Sequence, residues 1–386
     1  MASQGLSRIE VNIKGIRFHR HRLWSLVSNE NVPSSNWNIG PNPRYLAFLP
    51  ETLDALLAFG YRFLLILTPL TLGLFGQRAL IVTLSVSLLG IVLLALNVAT
   101  GVNWLAVVLF SYGVAVLGYI VKNDAARTPA GAANNKIMLN LGSLCAGLLL
   151  LYPHWSPLLF YIVIAALLLV CLPTARHFSL SSDLTAQTLL TKNFAKSGKL
   201  KWVLAGIVTG VKLFAVFSIL PQEILVHRQT LPAWYGMMII FNSAIVALIQ
   251  IPLMALINRS GDKAMLMSIV IILLGLIVLA VPGIFHVYTF WGAAVWLTIL
   301  SIAECALSYI DYCAAQENSL LIKELSVSLG AGLTVLVMRY FPVAINTEVL
   351  SLISIVALLL WLWKYKYSSN KFYKENIDAV SDVCEK

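Results

Sequence analysis

Charged side chains are scarce in this sequence of 386 residues. Only 11% of the residues are Asp, Glu, Lys or Arg, whereas 59% are hydrophobic, and the mean hydropathy is +0.84. A soluble domain cannot bury that much apolar surface. The composition therefore indicates a protein whose solvent is the lipid bilayer.

The sequence also lacks the usual signatures of catalysis and of metal binding. Its five cysteines form no Cys-x-x-Cys pair and no cluster with histidine, so we predict no metal site and no cofactor. A glycine-rich phosphate loop is missing, which argues against ATP as the energy source. Residues 1–44 contain no apolar core of the kind that defines a cleavable signal peptide. We therefore expect a protein that is not an enzyme.

Long apolar stretches fill the sequence between residues 51 and 363. A run of roughly 18 to 25 apolar residues is long enough to cross a bilayer as a helix. The sequence predicts eleven such helices, at about 51–72, 79–97, 103–121, 136–152, 155–173, 202–221, 233–257, 264–284, 289–313, 319–341 and 346–363. We therefore predict an all-α polytopic membrane protein.

A polar stretch divides the predicted helices into five and six, which suggests two pseudo-symmetric bundles of a repeated transporter. The predicted regions are a polar, basic N-terminal segment at 1–50, a five-helix bundle at 51–173, a linker at 174–201, a six-helix bundle at 202–364 and a tail at 365–386.

Lysine and arginine fall almost entirely in alternate connections between the predicted helices, and only Arg228 and Arg339 lie in the opposite set. Basic residues in short loops collect on the cytoplasmic side. We therefore predict a multi-pass protein of the inner or plasma membrane whose linker and C-terminus are cytoplasmic. The net charge of +10 is explained by this topology and by contact with anionic lipid rather than by nucleic acid.

The N-terminal segment conflicts with this topology. Eleven crossings and a cytoplasmic C-terminus place residues 1–50 outside, whereas their six lysines and arginines favour the inside. Two explanations stay open. The segment packs against the bundle as irregular backbone, which membrane proteins tolerate where protein or water covers it, or the first helix of a repeated unit has diverged or been lost.

A short motif lies between the second and third helices of the six-helix half, at Leu256–Lys263, and a degraded copy without the acidic residue lies at Gly73–Leu80. In this motif and in its layout the chain resembles the major facilitator superfamily over about residues 51–365. The residues assigned to this conformational motif are Gly73, Arg78, Arg259, Gly261 and Asp262.

The resemblance implies two six-helix halves that rock around a central site, with no apolar counterpart for the first family helix. It also implies that the predicted helices at 202–221 and 289–313 line the central cavity. The family's fourth helix often carries a buried arginine near its start, and the predicted helix at 103–121 has none. A proton-coupling step in the N-terminal half is therefore not expected.

Glu304 and Asp311 lie within one predicted helix, seven residues apart, so they share a helix face. An ionisable side chain within a membrane span usually faces the protein interior or a water-filled cavity. We therefore predict a protonatable pair that couples transport to a proton gradient. The alternative for Asp311 is a solvated position near the cytoplasmic end of its helix.

Further polar residues within the predicted helices are candidates for binding a substrate. Lys212 lies in the middle of its helix, where it could hold an anionic group or pair with Glu304. Arg62 could contact an anion, and the competing explanation is that it pairs with Asp54 or with the N-terminal segment. For the others, hydrogen bonds between helices or packing in the core are the competing explanation. These others are Tyr112, Tyr119, Asn140, Asn242 and Gln250.

The sequence thus predicts a secondary active transporter whose partners are protons, membrane lipid and a small polar or amphipathic solute, such as a siderophore-like or drug-like compound. The stretch Gly142–Gly147 falls where drug antiporters of the family carry a Gly/Pro motif, which slightly favours export by antiport. A non-transporting scaffold, sensor or assembly factor is the alternative, because the motif of the first half is degraded. A membrane-embedded transferase would need a larger carboxylate cluster.

Overall fold

The computed structural model describes residues 63–96, 100–150, 157–177, 199–229, 232, 234–341 and 345–364. All regular elements in these ranges are helices, and short 3-10 turns precede or join several of them. The helices are α1 Thr68–Phe75, α2 Ala79–Leu96, α3 Thr100–Ala125, α4 Pro129–Leu150, α5 Pro157–His177, α6 Leu200–Arg228, α7 Trp234–Arg259, α8 Ala264–Ala280, α9 Phe290–Gln316, α10 Leu320–Tyr340 and α11 Ile345–Lys364.

These helices follow the predicted spans in order, from α1 at the first span to α11 at the last. Eight helical stretches in the described ranges are long and apolar enough to cross a membrane, and one of them, Leu64–Leu96, holds both α1 and α2. Many large apolar side chains point outward, among them Leu74, Val170 and Leu248. Such exposure fits contact with lipid tails. The prediction of an all-α polytopic membrane protein is confirmed.

Several predicted features lie outside the described residues. They are the N-terminal segment at 1–50, Arg62, most of the linker at 174–201 and the tail at 365–386. The described parts of the linker are helical, because α5 continues to His177 and α6 begins at Leu200.

Helix α4 begins at Pro129 rather than near residue 136, where the apolar run starts. The Thr128 hydroxyl accepts a hydrogen bond from the Gly131 N–H at 3.0 Å, and proline has no N–H to leave unsatisfied in the first turn. Lys136 therefore lies inside the helix instead of in a cytoplasmic loop.

The helices pack into two groups that meet along α4. In the first group, α2 contacts α3 and α5. In the second, α6 packs along α10, while α9 contacts both α7 and α8. Helix α4 belongs to the first half of the sequence, yet it packs along α7 and also touches α9. Side chains of α4 therefore meet those of the second group within the protein.

The two halves share one turn geometry, which joins α1 to α2 and α7 to α8. Each turn begins with a glycine in the left-handed region, Gly76 at φ 50° and Gly261 at φ 54°, followed by one 3-10 turn. Only glycine adopts this backbone at little cost. The counterpart of Gly261 in this turn is thus Gly76, whereas Gly73, which the sequence predicts for the motif, lies within helix α1. Arg78, Arg259 and Asp262 are exposed beside these turns.

Close backbone contact joins α6 to α10. A Cβ atom added at Gly210 would lie 2.2 Å from the Val327 carbonyl oxygen, and one added at Gly206 would lie 2.3 Å from the Lys323 carbonyl oxygen. Small residues allow helices to approach closely in a membrane, where packing replaces the hydrophobic effect as the source of association. The spacing Gly206-x-x-x-Gly210 therefore fixes how α10 lies against α6.

We predict that Gly210→Ala destabilises the protein by about 1 to 3 kcal/mol, since the new methyl group meets backbone that must shift. Thermal unfolding of the purified protein in detergent would show a lower midpoint. Gly142→Ala in α4 is the matched control, because no atom lies within 4 Å of its added Cβ. Equal unfolding midpoints for the two variants would contradict this account of the α6–α10 contact.

Candidate functional site

Three charged side chains meet where α4, α6 and α9 come together. The Lys136 Nζ lies 2.5 Å from one oxygen of Glu304, and the Lys212 Nζ lies 3.9 Å from the other oxygen. The Asn140 amide, one turn after Lys136 on α4, donates to the Lys136 carbonyl at 3.0 Å and lies beside Glu304. We call Lys136, Lys212, Glu304 and Asn140 the central cluster. It joins α4 of the first half to α6 and α9 of the second.

The central cluster is closed to solvent in this arrangement. Lys212 is 0% exposed and Glu304 is 8% exposed. The Lys212 ammonium makes no hydrogen bond to any described residue. Two lysines face a single carboxylate, so the cluster carries one positive charge in excess when all three groups are ionised. A buried charge without full compensation is costly.

Helix α7 is hydrogen-bonded to α9 on both sides of Glu304. The Ser301 hydroxyl donates to the Asn242 Oδ1 at 2.8 Å, and the Gln250 Nε2 donates to the Cys305 carbonyl at 3.2 Å. These contacts hold the segment of α9 that carries Glu304. Asn242 also lines a cavity of about 10 Å³, large enough for roughly one water molecule.

The two predicted tyrosines lie away from the central cluster. The Tyr112 hydroxyl shares a hydrogen bond of 2.6 Å with the Thr71 hydroxyl, which links α3 to α1. Tyr119 is buried on α3, one turn before Lys122. The structure therefore brings Lys212, Glu304 and Asn140 together, whereas Tyr112 contacts a helix of its own half.

A second group of charges lies near the helix ends where α3, α9 and α10 meet. The Lys122 Nζ lies 2.7 Å from Asp311 and 2.8 Å from Glu324, while Lys323 contacts the same two carboxylates. Lys323 is fully buried, and Asp311 and Glu324 are 8% and 5% exposed. We call Lys122, Asp311, Lys323 and Glu324 the helix-end cluster.

Two further observations define the helix-end cluster. Its four groups balance in charge when ionised, and only Lys122 comes from the first half of the sequence. Close by, the Gln316 amide donates to the Arg127 carbonyl at 2.9 Å, so the turn after α3 also touches the end of α9. Asp311 is therefore neither solvated nor part of one site with Glu304. Its partners are Lys122 and Lys323.

Solved structures with the same arrangement of helices are transporters. The human organic anion transporter MFSD10 (TETRAN) has a TM-score of 0.61 at 14% identity, over 92% of this chain and 91% of that one. The fucose:proton symporter FucP of E. coli, in a variant form, has a TM-score of 0.61 at 13% identity, over 90% and 98%. This chain has the major facilitator fold. No protein-family model and no curated protein sequence matches it.

The major facilitator fold explains why charges from distant parts of the sequence meet. Lys136 and Lys122 belong to the first half, and their carboxylate partners belong to the second, so each cluster crosses the boundary between the two halves. In a repeated transporter this boundary is where the halves move against each other. Both clusters therefore lie where a rocking motion would make or break ion pairs.

Sequence reasoning missed four members of the two clusters, namely Lys122, Lys136, Lys323 and Glu324. All four lie close to predicted span ends. The three lysines therefore count among the basic residues of the cytoplasmic connections, and the sequence analysis does not single out Glu324. The pair Thr128-Pro129 is a helix-start signal that would have placed Lys136 two turns into α4, on the same face as Asn140. No comparable signal marks Lys323 and Glu324.

We predict that Lys122→Gln weakens the contact between the two halves at the helix ends, because Asp311 and Glu324 keep Lys323 but lose their partner on α3. Spin labels at Ala130 on α4 and Lys263 in the α7–α8 turn would report the separation by double electron–electron resonance. The variant should add a longer distance that the unmodified protein shows rarely.

Two variants serve as controls for this measurement. Lys122→Arg keeps the positive charge and should keep the short distance. Asp124→Asn removes an exposed charge on the same helix, whose nearest ionic partner is Arg127 at 3.8 Å in the following turn. If Asp124→Asn lengthened the distance as much as Lys122→Gln, the helix-end cluster would not hold the halves together.

Proposed function

We propose that this protein is a secondary active transporter that couples the movement of a small solute to protons through Glu304. The observation that carries the proposal is a buried carboxylate held between Lys136 and Lys212, on helices of both halves. A charged side chain near the middle of a membrane helix marks a substrate or ion pathway more often than a structural contact.

The fold supports transport as the class of function. The two solved structures described above are an organic anion transporter and a fucose:proton symporter, and they share the fold over most of their length. Their sequences differ from this one at most positions, so the solute is argued from the residues of this chain. A secondary transporter requires neither a nucleotide site nor a metal site, in keeping with the sequence.

Protonation of Glu304 would alter the contact between the halves directly. The ionised carboxylate holds Lys136 of the first half and faces Lys212 of the second. A neutral Glu304 loses most of its attraction for both ammonium groups, so the contact across the boundary weakens. A proton that binds here therefore favours a different arrangement of the halves, which is what coupling requires.

Asp311 enters this proposal in a different role from Glu304. Its partners lie in the helix-end cluster, so we assign it to the closure of the halves and not to the carrying of a proton. Export by antiport remains a prediction from the stretch Gly142–Gly147. Location in the inner or plasma membrane and a cytoplasmic C-terminus also remain predictions from the sequence.

The proposal predicts that Glu304→Gln abolishes flux driven by a proton gradient. Metabolite profiles of cells with and without the protein would first name the solute. Its uptake or release by proteoliposomes under an imposed pH gradient would then fall at least about tenfold in the variant, because the proton-binding group is gone. Exchange of solute at equal pH would persist.

Glu348→Gln is the matched control, since Glu348 is an exposed carboxylate at the start of α11. Its flux should equal that of the unmodified protein. Equal proton-driven flux in Glu304→Gln would remove Glu304 from the mechanism. An unchanged metabolite profile and no flux from the unmodified protein would favour the scaffold, sensor or assembly function instead.

A further inference from the structure

The missing hydrogen bonds of Lys212 indicate the chemical class of the solute more directly than the contacts of Glu304 do. Lys212 is fully buried on α6, and its ammonium has three donors. None of them reaches a hydrogen-bond acceptor in the described residues, and the nearest carboxylate oxygen is 3.9 Å away. Buried polar groups are normally hydrogen-bonded. Among the described residues, the donors of Lys212 therefore still lack an acceptor.

The charge balance of the central cluster defines that acceptor. Lys136 contacts Glu304 at 2.5 Å and forms a matched pair with it. Lys212 is then the uncompensated charge, in a region of low dielectric where such a charge is costly. While Glu304 is ionised, one negative charge on the solute would give two cations and two anions. In that state a neutral solute would leave the excess charge, and a dianion would reverse it.

We propose that the solute is a monoanion, most simply a carboxylate, which pairs with the Lys212 ammonium beside the Lys136–Glu304 pair. This inference rests on the transport function proposed above and names its substrate class. The anion would lie at the boundary between the halves, since Lys212 belongs to the second half and Lys136, which contacts the same carboxylate, belongs to the first. Binding would then depend on how the two halves lie.

The position of Glu304 also gives the sign of the coupling. An ionised Glu304 beside Lys212 repels a second anion, and a protonated Glu304 does not. Proton binding therefore strengthens anion binding, and by linkage the anion strengthens proton binding. The proton and the anion would move together and without net charge, and the loaded cluster would carry the same single positive charge as the empty one. This is symport, in contrast to the antiport expected from Gly142–Gly147.

Acetate is a probe of this site that requires no knowledge of the natural solute, and acetamide is its neutral isostere. Thermal stabilisation of the purified protein would be titrated with each compound at constant ionic strength. Acetate should stabilise the unmodified protein and acetamide should not. Lys212→Gln should weaken the effect of acetate at least about tenfold, since a buried charge pair is lost.

The variants chosen for this test should leave the protein able to fold. Lys212→Gln leaves the matched Lys136–Glu304 pair, and Lys212→Arg keeps a cation that should still respond to acetate. Glu304→Gln imitates the protonated carboxyl, so acetate should bind to it more tightly at neutral pH than to the unmodified protein. A structural role of Lys212 alone would not produce that increase.

Several outcomes would overturn the inference. They are equal responses to acetate and acetamide, no response of the unmodified protein to acetate, a full response in Lys212→Gln, or weaker binding in Glu304→Gln. Failure here is distinguishable from failure of the proposed function. Proton-driven flux of a neutral solute that is lost in Glu304→Gln would support the proposed transport function. It would contradict only the inference that the solute is an anion.

Discussion

The requirement that buried charges be paired determines the centre of this molecule. Glu304 lies deep within α9, where an isolated carboxylate would be several kcal/mol too costly to remain ionised. Lys136 on α4 and Lys212 on α6 supply its partners. Because these helices come from both halves of the sequence, the ionic contact that stabilises the carboxylate is also a contact between the halves. Packing and electrostatics thus act on the same boundary.

The two charged clusters at this boundary differ in the contacts that remain when the halves separate. In the helix-end cluster, Lys323 still contacts both carboxylates when Lys122 departs, with one negative charge in excess. In the central cluster, the described residues leave Glu304 only Lys212, at 3.9 Å, when Lys136 departs. Opening at the centre therefore breaks the close ion pair of its carboxylate, whereas opening at the helix ends leaves each carboxylate in contact with Lys323.

The length of the apolar runs predicted the order of the described helices, because the length of a membrane span is a constraint that is local in sequence. The same reasoning singled out Glu304, Lys212 and Asn140, which are polar groups well inside apolar runs. It failed for Lys136 and Lys323, since a lysine near the end of an apolar run looks the same whether it lies in a loop or in a helix. Which side chains become partners is determined by the tertiary structure. The repeated turn is a second example, because its left-handed glycine is Gly76 and not Gly73.

The nature of the interface argues against a static scaffold. Replacing a buried ion pair by apolar side chains of similar volume is often neutral or stabilising, so charges are a poor means of holding two helices together permanently. The α6–α10 contact shows what a permanent interface in this protein looks like, with Gly206 and Gly210 against backbone. Lys136, Lys212 and Glu304 instead meet where α4 crosses to the other half. An interface of ion pairs, whose strength would change with protonation, is suited to opening and closing, as the transport function proposed above requires.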